Sequence, residues 1–94
     1  MKVAWTAAAL RDLAALRAYI ARDNPAAADR QVNIIVEAAF GLAQFPQSGR
    51  AGRRPGTREL ILGRTPYLVP YRERGDSIDI LRVLHGRQRW PDRA

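Results

Sequence analysis

The segment ILRVLHGRQRWP, residues 80–91, carries the only histidine of the chain, with arginines on both sides. Histidine has an intrinsic pKa of about 6.5, which suits proton transfer near neutral pH, and arginine can hold a phosphate through two parallel hydrogen bonds. A ribonuclease needs a base for the 2′-hydroxyl, a proton donor for the leaving oxygen, and cations around the transition-state charge. His85, Arg72 and Arg82 are therefore candidate catalytic residues.

Two of these side chains also have structural interpretations. His85 stands before Gly86 at a presumed strand end, where its ring could cover the core and bond backbone, act in catalysis, or contact a partner. Arg82 lies in an apolar strand, so we expect it to pair with an acid such as Glu59 or Asp79, unless it binds a partner or phosphate. Alternation places Arg82 and His85 on opposite faces unless the strand ends or bulges. The residue types permit catalysis, whereas the spacing argues against it.

Charge is distributed unevenly along the chain. Lys and Arg number 16 and Asp and Glu 9, which gives a net charge of +7, and 15 of the 16 bases are arginine. Residues 1–49 hold 5 bases and 4 acids, a balance of +1, whereas residues 50–94 hold 11 bases and 5 acids, a balance of +6. A basic half favours an acidic partner, either nucleic acid or an acidic protein segment. The residues that we expect to contact a partner or target are Arg50, Arg53, Arg54, Arg64, Arg87, Arg89 and Trp90.

Length and composition exclude several classes of protein. The 94 residues suffice for one domain, residues 1–94. No apolar run approaches the roughly 20 residues that cross a bilayer, and the N-terminus lacks a signal-peptide pattern, so a cytoplasmic protein is expected. The chain has no cysteine and one histidine, so neither a disulfide nor a structural metal site is expected, and no cofactor is predicted.

The first half of the chain is predicted as one strand followed by two helices. MKVAW alternates like a strand, and Thr6 can cap the alanine-rich helix that follows. Asn24 and Pro25 are typical of a second helix start, and apolar residues continue at helical spacing to about Phe45, after which Pro46 ends the helix. The short connection between the helices predicts a helical hairpin.

The second half is predicted as a loop over residues 46–57 followed by three strands, RELIL, YLVPYRE and DSIDILRVLH. Gly75 supplies the positive φ of a tight turn between the last two strands. Pro70 is predicted at a bulge or an unpaired position, because proline removes a ladder donor. Both alternating sets of the last strand are apolar, so this strand should lie inside the sheet, with the helices on one face and another cover on the second.

In this order, the motifs resemble toxins of the ParE/RelE superfamily, from bacterial type II toxin–antitoxin systems. The resemblance covers nearly the whole chain and rests on the opening strand with Trp5, DL…YI in the first helix, NPAAA, FPQSGRAG, GTREL, PYLVPYR and ILRVLHGRQRWP. It implies an α+β fold, β-α-α-β-β-β, with a helical hairpin on a curved antiparallel sheet. It also implies a hetero-oligomer with a cognate antitoxin of ParD or RelB type, whose acidic C-terminal segment would cover the sheet and groove.

The resemblance implies one of two activities. RelE-like members cleave mRNA on the ribosome, whereas ParE-like members poison DNA gyrase without cleaving a bond themselves. RNA-cleaving relatives carry an arginine in the strand motif arginine-leucine-valine-tyrosine, where this chain has Leu68, and a tyrosine near the chain end, where it has Trp90. We therefore expect growth inhibition through gyrase, with a ribosome-dependent mRNA endoribonuclease as the alternative. A general nucleic-acid binder is the third possibility, although no helix-turn-helix, RNP-like or zinc pattern accompanies the charge.

Overall fold

The computed structural model describes residues 1–88. Its elements are β1 (Lys2–Trp5), α1 (Ala7–Ala21), α2 (Pro25–Gly41), β2 (Arg50–Ala51), β3 (Arg58–Ile61), β4 (Tyr67–Arg74), β5 (Ser77–Ile80) and β6 (Leu84–His85). The strands form one sheet in the order β1-β5-β4-β3-β2, and β6 also pairs with β4. The predicted α+β class, with two helices packed on a sheet, is confirmed. Within residues 1–88 no helix is long and apolar enough to span a membrane.

Both helices begin at the predicted residues. The Thr6 hydroxyl accepts a hydrogen bond from the Ala9 N–H at 3.1 Å, and the Asn24 side chain accepts one from the Ala27 N–H at 3.0 Å. Each bond satisfies one of the N–H groups that the first helical turn leaves without a partner. Pro25 occupies the first turn of α2, where a missing N–H is harmless. The short sequence signals for helix initiation are therefore confirmed.

The second helix ends earlier than the predicted end near Phe45. Regular α-helix stops at Gly41, and the N–H groups of Leu42, Ala43 and Gln44 then bond carbonyls three residues back. This is the tighter 3₁₀ pattern, which often closes a helix. Glycine is about 1 kcal/mol less favourable than alanine inside a helix, so Gly41 is a reasonable point for the change.

The sheet is mixed, whereas the family resemblance implied an antiparallel one. β1 pairs with β5 in parallel, with Val3 opposite Ile78, and the other pairs are antiparallel. Alternation of apolar residues specifies which face of a strand is buried, but it does not specify strand direction. The direction of β1 was therefore not available from its sequence pattern.

The last predicted strand is interrupted, and Pro70 lies at the interruption. Residues 81–83 separate β5 from β6, and both strands pair with β4. Between these two ladders β4 contributes residues 69–70 against residues 81–83, so the C-terminal strand carries one extra residue, a bulge. The Pro70 carbonyl accepts a hydrogen bond from the Leu81 N–H at 2.9 Å. The backbone nitrogen of Pro70, which has no hydrogen to donate, therefore faces the bulge. The predicted bulge is confirmed.

The sheet has one face against the helices and one face away from them. Leu16, Ile35, Val69 and Ile80 belong to the core between helices and sheet. Alternation and the strand register assign the side chains of the opposite face, which we call the distal face. These side chains are Lys2, Ala4, Arg50, Glu59, Ile61, Leu68, Pro70, Arg72, Arg74, Ser77, Asp79 and Leu84.

Part of the distal face is already buried by the chain itself. Leu68 is 4% exposed and Leu84 is 1% exposed, and neither belongs to the core beneath the helices. The expectation that this face needs an external cover is therefore wrong for these residues. The other half of the face, around Arg72 and Arg74, is exposed.

Candidate functional site

Arg82 is bound to a carboxylate on the first helix. Its Nε and Nη2 atoms donate to the two oxygens of Asp12 at 2.7 and 3.0 Å, and the Val83 N–H donates to the same carboxylate at 2.9 Å. The hydrogen bonds to Asp12 raise the pKa of Arg82 above its ordinary value. The expected partners, Glu59 and Asp79, are wrong, because the bulge turns Arg82 toward α1 while both acids lie on the distal face.

Asp12 is a structural residue that the sequence reasoning missed. It precedes Leu16 by four residues, so the two side chains lie about 40° apart around the helix axis. An acid at the edge of an apolar helix stripe is partly removed from water and needs a partner. That position was the available signal for the ion pair.

His85 packs on an aromatic neighbour and holds the following turn. It pairs with Tyr67 of β4, and the two rings meet edge to face with centroids 5.8 Å apart. The Nδ1 atom of His85 accepts a hydrogen bond from the Arg87 N–H at 3.1 Å, and the His85 N–H donates to the Gln88 side chain at 2.7 Å. One ring nitrogen is therefore engaged in holding the backbone after β6.

A cleft of about 640 Å³ separates α1 from β4 and β6. Its lining residues are Asp12, Ala15, Leu16, Tyr19, Tyr67, Val83, His85 and Gln88. Burial, and to a smaller extent the neighbouring Tyr19, raises the pKa of Tyr67, so its phenol stays protonated at neutral pH. The cleft thus offers an imidazole and two phenols, and the adjacent cation is already bound to Asp12.

The three candidate catalytic residues do not converge. The bulge brings Arg82 and His85 to the same, helix-facing side of the sheet, which simple alternation would have prevented. Arg72, however, belongs to the distal face and lies five residues along β4 from Tyr67, the residue opposite His85, which corresponds to about 17 Å of extended chain. Arg72 and His85 therefore cannot act on one phosphate in this arrangement.

The arginine-rich segment is an ordered hairpin, whereas the sequence predicted a solvated loop. β2, which lies within residues 46–57, pairs with β3. Glu59, which is 1% exposed, accepts hydrogen bonds from Arg50 Nη2 at 3.2 Å and from the Arg53 N–H at 3.0 Å. The Nη1 atom of Arg53 donates to the Gln88 carbonyl at 3.2 Å. A buried carboxylate therefore fixes two of the predicted contact arginines over the distal face.

Tyr71 anchors the start of the same segment from below. Its side chain is fully buried, and its hydroxyl donates to the Pro46 carbonyl at 2.8 Å and accepts from the Gly49 N–H at 2.9 Å. A Cβ atom at Gly49 would lie 2.7 Å from a ring carbon of Tyr71, so this position requires glycine. The FPQSG stretch is thus tied to the core at two points.

A second ion pair lies at the exposed end of the distal face. Arg74 Nε and Nη2 donate to the two oxygens of Asp79 at 2.7 and 3.2 Å, and Arg72 stands directly opposite Asp79 in the ladder. The hydrogen bonds from Arg74 hold the pKa of Asp79 below its ordinary value despite partial burial, and Arg72 lowers it further. Lys2 is in the adjoining row, because Ser77 pairs with both Lys2 and Arg74.

The remaining predicted contact residues occupy separate places. Arg54 is at the tip of the β2–β3 hairpin, and its carbonyl accepts from the Thr57 hydroxyl at 2.7 Å. Arg64 follows β3 and lines an apolar groove of about 410 Å³ beside Phe45. Arg87 is exposed after β6. Arg89 and Trp90 lie outside the described residues.

An exposed apolar patch on the helical hairpin was also missed by the sequence reasoning. Leu10, Val36 and Phe40 are 52%, 40% and 75% exposed. A hydrogen bond of 2.9 Å between Arg17 and Asp29 indicates the register of the antiparallel helices, and the same register places Leu10 near Val36. Val36 and Phe40 are four residues apart and fall outside the buried stripe of α2, which was the available signal. Exposed apolar patches of this kind mark protein interaction surfaces.

A helical hairpin on one face of a mixed sheet, with a basic hairpin fixed over the other, defines an α+β fold of the ParE/RelE toxin type. Residues 3–90 match the family described as "ParE toxin of type II toxin-antitoxin system, parDE". The chain belongs to the ParE toxin family, and this membership implies an antitoxin partner.

Individual relatives agree with this assignment. The chain is 48% identical over 90 residues to the candidate toxin Y4kP of Sinorhizobium fredii, covering 96% of this chain and 93% of the relative. It is 37% identical over 84 residues to toxin RelE2 of Caulobacter vibrioides, covering 89% and 93%. A solved structure titled "Chromosomal ParDE TA system from P. aeruginosa" matches with a TM-score of 0.81 and 35% identity over 90% of this chain and 95% of that chain. Both ParE-named and RelE-named proteins are therefore similar to it.

Proposed function

We propose that this toxin arrests growth by poisoning DNA gyrase and breaks no bond itself. The observation that carries the proposal is the ion pair of Arg82 with Asp12, at 2.7 and 3.0 Å, which occupies the one candidate catalytic arginine that lies on the same side of the sheet as His85. A nuclease needs its cation free to meet the phosphate as charge develops. The match to the ParE family supports the same mechanism, gyrase poisoning.

The residue at the position where RNA-cleaving relatives carry a catalytic arginine supports a mechanism without catalysis. Leu68 stands in the strand motif where RNA-cleaving relatives carry arginine, and it is 4% exposed among residues of the distal face. Arg72, the candidate catalytic arginine of the same strand, lies further along β4 and on the opposite face from His85. Reacting groups must share hydrogen-bond reach of one substrate atom, and these groups do not.

The test is a cleavage-complex assay. Purified toxin is incubated with gyrase, supercoiled DNA and ATP, and the DNA is resolved after protein denaturation. We expect linear DNA from trapped cleavage complexes, in an amount that rises with toxin and disappears when gyrase is omitted. Normal supercoiling with no trapped complexes would overturn the proposal.

The cleft beside His85 supports a second candidate, ribosome-dependent mRNA cleavage. His85 and the tyrosines Tyr19 and Tyr67 line the same cavity of about 640 Å³, which is large enough to admit a nucleotide. Ribosome-dependent mRNA cuts that vanish on His85→Ala would establish this activity. Intact mRNA on toxin-treated ribosomes would exclude it.

For the antitoxin we propose an acidic ParD-like protein that forms a hetero-oligomer and places an amphipathic segment on the patch of Leu10, Val36 and Phe40. The net charge of +7 favours an acidic polar side, and the patch offers anchors for an apolar side. We expect a small acidic reading frame beside the gene, and its co-expression should restore growth. Phe40→Ser should weaken the complex at least about tenfold, as expected for a central apolar anchor, whereas Tyr19→Ser should not. Equal weakening by both changes would place the antitoxin elsewhere.

A further inference from the structure

The exposed end of the distal face carries cations that the proposed mechanism does not use. We propose that it binds the phosphodiester backbone of duplex DNA directly, without gyrase. The residues concerned, which we call the distal cation surface, are Lys2, Arg50, Arg53, Arg72 and Arg74. This proposal goes beyond gyrase poisoning, because it concerns the free toxin and a DNA duplex alone.

The strand register brings these cations together although they are far apart in sequence. Arg72 and Arg74 are two residues apart on β4 and share a face. Ser77 of β5 pairs with Arg74 on one side and with Lys2 on the other. Strands lie about 4.8 Å apart, so the backbones of Lys2 and Arg74 are separated by about 10 Å across the sheet. Three cations from opposite ends of the chain therefore form one compact group.

The β2–β3 hairpin extends this group of cations toward the other edge of the sheet. Arg50 lies opposite Glu59 in the β2–β3 ladder, and the adjoining Arg53 folds back to the same carboxylate. Glu59 in turn stands opposite Pro70, which is two residues from Arg72 on the same face of β4. The distal cation surface is therefore continuous from β1 to the hairpin.

The acids of this surface lie beneath its cations. Side-chain exposure is 69% for Arg74 and 15% for its partner Asp79. It is 59% for Arg50 and 42% for Arg53, against 1% for Glu59. The carboxylates hold the guanidinium groups in place and are themselves shielded, so the charge that meets solvent is positive. Side chains fixed in advance also lose less conformational entropy when they bind a ligand.

The composition of the distal face favours DNA over an acidic protein segment. The exposed large apolar side chains in residues 1–88 are Met1, Leu10, Tyr19, Val36, Phe40, Phe45 and Ile61, and of these only Ile61 belongs to the distal face. A bound protein segment gains most of its affinity from apolar and aromatic anchors, and single-stranded nucleic acid from stacking on aromatic rings. Ile61 lies opposite Leu68, away from Arg72 and Arg74, so the distal cation surface offers neither. Guanidinium groups that donate paired hydrogen bonds, without apolar anchors beside them, suit the backbone phosphates of a DNA duplex.

The test measures binding of a labelled duplex of arbitrary sequence by fluorescence anisotropy between about 50 and 200 mM salt. Five phosphate contacts predict a slope of log K against log salt of about −4.5, because each contact contributes about −0.9. Lys2→Gln with Arg72→Gln should make this slope shallower by about 2. The control is Arg11→Gln with Arg30→Gln, which removes the same charge from exposed helix positions and should leave the slope unchanged.

Three outcomes would overturn the proposal. Equal losses in the two double variants would mean that net charge alone attracts DNA. A slope near zero would mean that no phosphates are contacted. Stronger binding of polyglutamate than of duplex would assign the surface to an acidic protein. All four substituted residues are exposed, so circular dichroism should show folded variants. Since gyrase is absent from the titration, failed trapping of cleavage complexes and failed DNA binding are separate results.

Discussion

The two faces of the sheet use arginine and carboxylate pairs in opposite ways. On the helix side, the Asp12 carboxylate accepts hydrogen bonds from both Arg82 and the Val83 N–H in a part-buried site, and the guanidinium is turned inward. On the distal face, Glu59 is buried and Asp79 is part-buried, and their arginines remain exposed. The same ion pair therefore stabilises the junction of helix and bulge in one place and presents positive charge to solvent in the other.

This difference relates the charge asymmetry of the sequence to the fold. Residues 1–49, which supply the helices, have a balance of +1, and residues 50–94, which supply most of the sheet, have a balance of +6. The helical hairpin carries the exposed apolar patch around Phe40 instead. We infer that one side of the molecule suits a protein partner and the other a polyanion.

The largest effect should come from Asp12→Ala on the helix side. It leaves the guanidinium of Arg82, with 25% side-chain exposure, and the Val83 N–H without a partner. We expect a loss of about 3 kcal/mol in the free energy of unfolding, measured in urea. The control is Asp29→Ala, which removes the exposed pair with Arg17 and should cost less than about 0.5 kcal/mol. Equal losses would show that the Asp12 pair has no special structural role.

Tyr71→Phe should have the next largest effect. It removes the hydroxyl that donates to Pro46 and accepts from Gly49, and both backbone groups then lack their buried partner. We expect a loss of about 2 kcal/mol in the free energy of unfolding. Tyr19→Phe, at a residue that is 70% exposed, should be neutral. A neutral Tyr71→Phe would mean that the segment before β2 is not held from the core.

Glu59→Gln should loosen the distal side while leaving the core folded. The amide keeps the shape of the carboxylate but loses the charge that holds Arg50 and Arg53. We expect a loss of about 1 kcal/mol in stability and faster tryptic cleavage after the hairpin arginines. Glu73→Gln, at an exposed residue of β4, is the control and should leave cleavage unchanged. An unchanged rate in Glu59→Gln would contradict the anchoring role of Glu59.

The smallest effect concerns pH and the pair of Asp79 with Arg74. The pKa of Asp79 is lowered in the folded protein, so the pair stabilises the fold above the unfolded pKa of about 3.9. That contribution is lost as the pH falls through the lower, folded pKa. Because Arg74 is largely exposed, we expect the free energy of unfolding of wild type to be only slightly higher than that of Asp79→Asn at pH 7. The difference should vanish in acid, and a difference that grew in acid would have the wrong sign.

Much of the fold was predictable because its signals are local. Thr6, Asn24 and Pro25 mark helix starts within a few residues, and Gly75, at a φ of 58°, marks the turn between β4 and β5. The direction of β1 and the division of the last strand depend on pairing between distant segments, which alternation does not encode. The Pro70 signal was local too, and it located the bulge although the bulge residues themselves had no signal.

The candidate site was predictable only as a set of residue types. The sequence identified Arg82, His85 and the hairpin arginines, but their partners are distant in the chain: Asp12 is 70 residues from Arg82. The sequence suggested Glu59 as a partner of Arg82, yet Glu59 binds Arg50 and Arg53 of the β2–β3 hairpin. Which side chains can pair depends on the sheet face that each strand residue occupies. Spacing within one strand cannot supply that information when a bulge reverses the faces.

The central claim is that the cleft of His85 is structural and the toxin does not catalyse cleavage. Growth arrest after induction of His85→Ala, without antitoxin, tests this most directly. The variant loses the ring contact with Tyr67 and the bond to the Arg87 N–H, and circular dichroism with immunoblotting would show whether it remains folded and expressed. We expect arrest equal to that of wild type. Normal growth with a folded, fully expressed His85→Ala protein would contradict the account, because His85 would then have a role in toxicity beyond structure.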